Sequence, residues 1–314
     1  MMRTVEPKRK FFQSVRSQKE LVVISIPFII YFFIFSYYPL WGLTMAFQNY
    51  KPQLAFWEQK WVGLTHFINL FSDRFFLIAL RNTVAMSLIN LVLHFVTAIV
   101  FALFLNELRS KRYKKLVQSI SYMPHFLSWI IVCGLLANML EMDDGIINNV
   151  LMAIGLVDKP IHWLGEPKYF WGIVGAANVW KSMGWNSIIY LAAMTAIDPS
   201  QYEAAAVDGC GRFGRMWHIT LPGIKSTIII LLILNAGWIL NSGFEVQYFL
   251  GNSGLVRDVS ENLDIFVLRN GFGSRSVIGY SYGTAAGMFK TVVSLIVITF
   301  CNYIAGKVGE EKLV

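Results

Sequence analysis

The chain has 314 residues, of which 55% are hydrophobic and only 15% charged, with a mean hydropathy of +0.52. Soluble domains carry roughly 25% charged residues and interleave them with apolar ones at helical or strand period, so an ordinary soluble fold is excluded and a membrane protein is expected. The net charge of +8 does not point to nucleic acid, because the cations flank apolar runs rather than forming a patch.

In chain order, residues 1–20 form a basic segment holding six Lys or Arg. Crossing a bilayer core of about 30 Å takes roughly 20 apolar residues. Six stretches provide them: 21–43, 83–105, 117–140, 170–195, 226–244 and 284–305. The first follows basic residues as a signal peptide would, but its apolar run is too long and no small-residue cleavage site follows. A retained helix is expected, giving an all-α, six-span membrane protein with residues 21–314 as one membrane domain.

Lys and Arg accumulate on the cytoplasmic side of membrane proteins. The N-terminal segment, the second and fourth connections and the C-terminal tail hold sixteen of them, the tail through Lys307 and Lys312. The longer first, third and fifth connections hold nine, Arg275 among them. Both termini are therefore expected in the cytoplasm. Lys181 and Lys290 fall inside spans, where a charge is costly unless it is paired or snorkels to an edge.

Asp143-Asp144 in the third connection is a close carboxylate pair and reads as a solvated turn. Cys133, Cys210, Cys301 and five scattered histidines match no metal-ligand spacing, so neither a metal nor a bound cofactor is expected. In the fifth connection Asp258 and Glu261 have capping-box spacing, Val259, Leu263, Phe266 and Val267 follow at near-helical spacing, and Asn270-Gly271 stops the run. A short external helix results, suited to docking a partner or to lying on neighbouring spans. Gly279, Gly283 and Gly287, spaced by four, clear one face of the last span for close helix packing.

The fourth connection is the most informative. Asp198 is an N-cap residue, Pro199 suits the first helical position and Gln201 the third position of a capping box. Glu203 lies near the positive helix end and Ala204 to Ala206 favour helix with little bulk. Gly209 and Gly211 break the helix, a second one places Phe213, Met216 and Trp217 on one side, and Leu221-Pro222-Gly223 ends it. The residues describe a polar helix pair at a membrane face, docking a partner or packing on its own bundle; few cations and flanking spans argue against DNA.

Glu203-Ala204-Ala205, three residues, Asp208-preceded Gly209, nine residues, Ile219, one residue and Leu221-Pro222 resemble the EAA signature of permease subunits in binding-protein-dependent ABC importers. NELRSKRYKKLVQSISYMPHFLSW (106–129), WKSMGWNSIIYLAA (180–193) and HITLPGIKSTIIILLIL (218–234) extend the similarity to oligosaccharide and polysaccharide permeases. Cys210 stands where alanine is commonest and Ser226 where many relatives have proline.

The resemblance implies a type I importer permease fold in the cell membrane. It also implies that 198–225 docks a separate ATPase through Glu203, Ala204, Ala205, Asp208, Gly209, Ile219, Leu221 and Pro222. The chain has no GxxxxGK[ST] phosphate loop, so it is expected to be non-catalytic, ATP and Mg being used by two cytoplasmic ATPase subunits. A second, homologous permease subunit and an extracytoplasmic sugar-binding protein complete the implied assembly.

Sugars present hydroxyls at their edges and C–H groups on their faces, so amides, carboxylates and aromatic rings mark candidate cargo contacts. Trp180, Trp185, Asn186 and Tyr190 in the fourth span and Asn235, Trp238, Asn241 and Glu245 in the fifth qualify. The same residues suit interhelical hydrogen bonds or interfacial anchoring. On residues alone an ion-coupled secondary transporter and a membrane-embedded glycan enzyme remain open, although no paired broken helices and no acid-base cluster stand out.

Overall fold

The structure is a computed structural model that describes residues 17–273 and 279–307. Most of the basic N-terminal segment, Arg275 and Lys312 lie outside the described residues.

Helix α1, Lys19–Phe32, continues through a wide turn over Phe33–Tyr37 and a tight one over Tyr38–Phe47 into one rod. Pro39 explains the change of pitch, since it lacks an N–H and its ring pushes away the carbonyl four residues back. The most apolar part of this rod is not buried against the rest of the chain. Two short antiparallel strands follow, β1 (Gln48–Asn49) and β2 (Lys60–Trp61), with Gln48 opposite Trp61. The buried Gln59 amide closes their loop, donating to the carbonyls of Lys51 and Leu54 at 2.9 Å each and accepting from the Lys51 N–H at 2.7 Å.

After α2 (Thr65–Ser72), α3 runs from Arg74–Asn106. It starts nine residues before the expected span because Asp73 caps it, accepting from the Phe75 N–H at 2.8 Å. At 33 residues it is about 50 Å long. It threads three apolar clusters: Phe76 and Ala79 with Leu263 and Phe266, Met86 with Phe170 and Val174, and Ala98, Ala102 and Leu105 with Tyr190, Leu191 and Ile224.

The expected span 117–140 is broken. Helix α4 (Lys111–Tyr122) with the turn Met123–Phe126 meets α5 (Trp129–Met139) at 98°, where Pro124 interrupts the backbone ladder and Ser128 starts a new cap. Lys181 does not snorkel. Its ammonium donates to the His125 carbonyl at this break (2.6 Å) and lies over the Trp129 ring.

Helix α6 (Ile146–Ala153) precedes α7 (Pro167–Met194), which packs along α3. Then come α8 (Pro199–Val207), α9 (Arg212–Gly223) and α10 (Lys225–Ala236), the last two meeting at 60°. The expected span 226–244 thus ends at Ala236 after about 18 Å of helix, and helix resumes as α11, Phe244–Leu250. Three described helices are long and apolar enough to cross a membrane unaided, α1 with its extension, α3 and the last helix, or up to five if each bent pair forms one span, against the six expected. Helix α7 is long enough at 28 residues but carries Asn178, Lys181, Ser182 and Asn186.

In the fifth connection the expected capping box does not form. Helix α12, Arg257–Ser260, stops at Glu261, and α13, Leu263–Phe272, is capped by Asn262, whose side chain accepts from the Ile265 N–H at 2.9 Å. Glu261 is buried and ion-paired instead. Helix α13 also runs past Asn270-Gly271 to a Gly273 cap. It lies on its own bundle: Leu263, Ile265 and Phe266 are buried, and the buried Asn82 of α3 donates to the carbonyls of Asp258 and Glu261 at 2.9 Å each.

The final helix, α14 (Gly279–Lys307), packs on α13, and its Lys290 pairs with Asp264 at 2.5 Å. A β-carbon on Gly279 would collide with the Asn270 carbonyl, and one on Gly283 would stand 3.0 Å from the Gly271 Cα. Gly287 departs from expectation, with nothing within 4 Å of where its β-carbon would be.

Candidate functional site

Two features lie at opposite ends of α10. The first is the α8–α9 pair. Asp198 caps α8 by accepting from the Ser200 N–H at 2.9 Å, and this bond holds its carboxyl below the usual aspartate range. Gln201 contributes through its backbone, its N–H meeting the Asp198 carbonyl at 3.2 Å.

The helix stops where the glycines require it. Gly209 has φ +75°, its N–H bonds the Ala206 carbonyl (3.2 Å) and the Cys210 N–H bonds the Ala205 carbonyl (2.8 Å). This is the paired closure that a left-handed glycine allows. Five residues of α9, Met216–Thr220, widen into a π-turn just before Pro222, because proline offers no N–H to the carbonyl four residues back.

The Tyr202 and Thr220 hydroxyls meet at 2.9 Å and tie the two helices together. None of α8 is buried, so Glu203 and Ala204 face outward, as do Asp208 and Gly209. Val207 is 88% exposed, Phe213 75% and Trp217 69%. An apolar surface this open with acidic neighbours suits a partner's groove better than its own bundle. Ile219 and Leu221 are half-buried, Pro222 is exposed, and Ile224 at the elbow is buried among Ala102, Leu105 and Met194.

The second feature is a polar cleft between α3, α7 and α10. Its wider lobe, about 230 Å³, is lined by Ser87, Asn90, His94, Phe95, Asn178, Asn235, Trp238, Asn241 and Ser242 among others. A narrower lobe of about 90 Å³ shares His94, Phe95 and Asn235 and adds Asn186, Ile189 and Tyr190. Buried polar groups are nearly always paired, yet Asn90 Oδ1 and Ser87 Oγ have no hydrogen-bond partner among the described residues. Ser182 gives its proton to the Asn178 carbonyl at 2.5 Å and so accepts, at 3.1 Å, from His94 Nε2–H. That leaves His94 Nδ1 as an acceptor.

One wall of the cleft is the non-helical backbone after Ala236. Gly243 has φ +91°. Asn90 Nδ2 and Gln247 Nε2 each donate to the Ser242 carbonyl at 3.4 Å, and Asn262 Nδ2 reaches Ser242 Oγ at 3.1 Å. Irregular backbone within a membrane protein is tolerated where it lines a cavity and its polar groups are satisfied.

Of the cargo candidates, Asn186, Tyr190, Asn235, Trp238 and Asn241 come together in this cleft. Three do not. Trp180 is 49% exposed, Trp185 stacks on His125 with ring centroids 4.4 Å apart, and Glu245 sits exposed on α11. Sequence reasoning missed Ser87, Asn90 and His94 on α3 and Asn178 and Ser182 on α7. The signal was present: polar residues at 87, 90, 94 and at 178, 182, 186 each keep one helix face inside an apolar run.

A family model described as "Binding-protein-dependent transport system inner membrane component" matches residues 95–310. The chain belongs to this family. The permease is 42% identical to Protein LplB of Bacillus subtilis (strain 168), over 96% of this chain and 92% of the relative. It is also 42% identical to the polygalacturonan/rhamnogalacturonan transport system permease protein YteP of the same organism, covering 98% and 94%. Its fold superposes with a TM-score of 0.87, at 36% identity over 96% of this chain and 99% of the other, on a chain from the crystal structure of a bacterial alginate ABC transporter in complex with an alginate pentasaccharide-bound periplasmic protein.

Proposed function

We propose that this chain is the permease subunit of an ATP-driven, binding-protein-dependent importer that carries a carbohydrate, an oligosaccharide or polysaccharide fragment, into the cytoplasm. The observation that carries the proposal is the continuity of α9 and α10 between an exposed helix pair and a cleft of amides and aromatic rings. The chain itself is non-catalytic. Of two ATPase subunits, using ATP and Mg, one grips the α8–α9 pair through Glu203, Ala204, Ala205, Asp208, Gly209, Ile219, Leu221 and Pro222.

Their closure moves α10, and with it the cleft where Asn186, Tyr190, Asn235, Trp238 and Asn241 meet cargo delivered by an extracytoplasmic binding protein. A second, similar permease subunit completes the pathway. Both termini face the cytoplasm, and the bent pair α4–α5, α7 and the α9–α10 pair join the three continuous helices as spans. Co-purification from the source membrane followed by ATPase assays with candidate glycans tests this. A second permease, an ATPase and glycan-stimulated turnover are expected; ion-driven flux by this chain in vesicles lacking any ATPase would refute it.

A further inference from the structure

A cavity of about 650 Å³ lies away from the cleft and at the other end of α3 from the α8–α9 pair. It is lined by Asp73, Phe75, Asn252, Arg257, Arg269 and Asn270, with Glu261 beneath. Arg257 Nε and Arg269 Nη1 both donate to one oxygen of the buried Glu261, at 2.7 and 3.0 Å. Two guanidiniums thus share one carboxylate. Their side chains stay 42% and 30% exposed, and no other acceptor among the described residues takes a bond from either.

Asp73, the other acid at the rim, has one oxygen bonded by the Phe75 N–H and the other by the Tyr282 hydroxyl at 3.0 Å. Phe75 lies beneath the Arg257 guanidinium and is itself 59% exposed. Asn270 donates its amide N–H to the Phe266 carbonyl at 2.9 Å. Unused guanidinium N–H groups fit a carboxylate in fork geometry, an exposed ring offers a platform for sugar C–H groups, and the volume suits a small ligand.

We propose that this cavity is a second carbohydrate subsite that reads the carboxylate of a uronic acid residue, using Arg257 and Arg269. The inference rests on the carbohydrate reading above and deepens it. The transmembrane cleft has no Lys, Arg, Asp or Glu among its described lining residues, so charge is recognised at this outer site and hydroxyls within the membrane.

The test is binding of trigalacturonate and of its carboxyl-reduced, neutral counterpart to the full-length chain in lipid nanodiscs. The acidic probe is expected to bind at least about tenfold more tightly, a gap that narrows with added salt. Asn252→Asp, whose side chain is exposed and leaves the Glu261 pair intact, should weaken the acidic probe far more than the neutral one. Arg269→Lys, which keeps the charge and loses the fork, should weaken it less.

Equal affinity for both probes, or a gap untouched by N252D, overturns the proposal. So does the absence of a gap combined with N252D weakening the binding protein's docking, which would assign the arginines to a protein carboxylate. The two readings fail differently. Ion-driven flux without any ATPase refutes the importer reading, whereas equal import of both glycans by the assembled importer refutes only this subsite.

Discussion

Tyr202 and Thr220 are eighteen residues apart in sequence, and their hydroxyls meet at 2.9 Å across the Gly209–Gly211 turn. Thr220 is buried and also reaches the Arg215 carbonyl at 3.4 Å, so the bond fixes α8 against the part of α9 that leads into α10. Tyr202→Phe removes it at a cost of about 1 kcal/mol. The ATPase should still co-purify, while ATP hydrolysed per sugar imported should rise. An unchanged ratio would mean that the two helices move independently of this contact.

Gly209 is left-handed with open space around it, so Gly209→Ala meets no clash and pays only the backbone cost, about 1–2 kcal/mol. Weaker ATPase capture and slower import are expected from a normally inserted chain. Gly209→Asn should recover part of the loss, since asparagine tolerates this conformation. Equal defects in both variants would rule out the conformational explanation.

The cap of α8 should respond to acid. Asp198 is held below the usual carboxylate range by its bond from Ser200, so its contribution is present at neutral pH and disappears as pH falls through that depressed value. Protection of the first α8 amides, measured by hydrogen exchange, should drop on acidification in the native chain and change much less in Asp198→Asn.

Two glycines on one face of α14 offer an internal control. Gly283→Leu must push α14 away from the Gly271 backbone, an overpacking cost of about 1–3 kcal/mol. Gly287→Ala enters open space in a helix and should gain about 0.5–1 kcal/mol. Thermal unfolding in nanodiscs should separate them; destabilisation by both would indicate that Gly287 faces another subunit.

Much of this was legible beforehand. The α8–α9 pair could be read because capping and glycine termination act over a few residues: Asp198, Pro199 and Gly209 behave as their local chemistry requires. The cleft was half legible. Asn235 and Trp238 stood out, but the helix break after Ala236 depends on Asn90, Gln247 and Asn262 reaching in from three other elements, and no local pattern announces that. Asn262 displaced the expected Asp258–Glu261 box for a similar reason, since Glu261 is drawn inward by two arginines that arrive from neighbouring turns.

Asn235 belongs to both lobes of the cleft. Asn235→Leu should therefore cut import at least about tenfold, by removing hydrogen bonds and narrowing the passage, without changing recovery of the ATPase. Normal import by N235L would place the cargo route elsewhere.

The 60° elbow between α9 and α10 also has a mechanical consequence. A push along α9 arrives at α10 more as a sideways swing than as a lift, and α10 then acts as a crank arm. Asn235 sits near its tip, about 15 Å from Lys225 at the helical rise. Turning the crank by about 10° sweeps the amide through roughly 3 Å, the length of one hydrogen bond. In the proposed importer, such a stroke at the membrane surface would be large enough to take or release one hydroxyl.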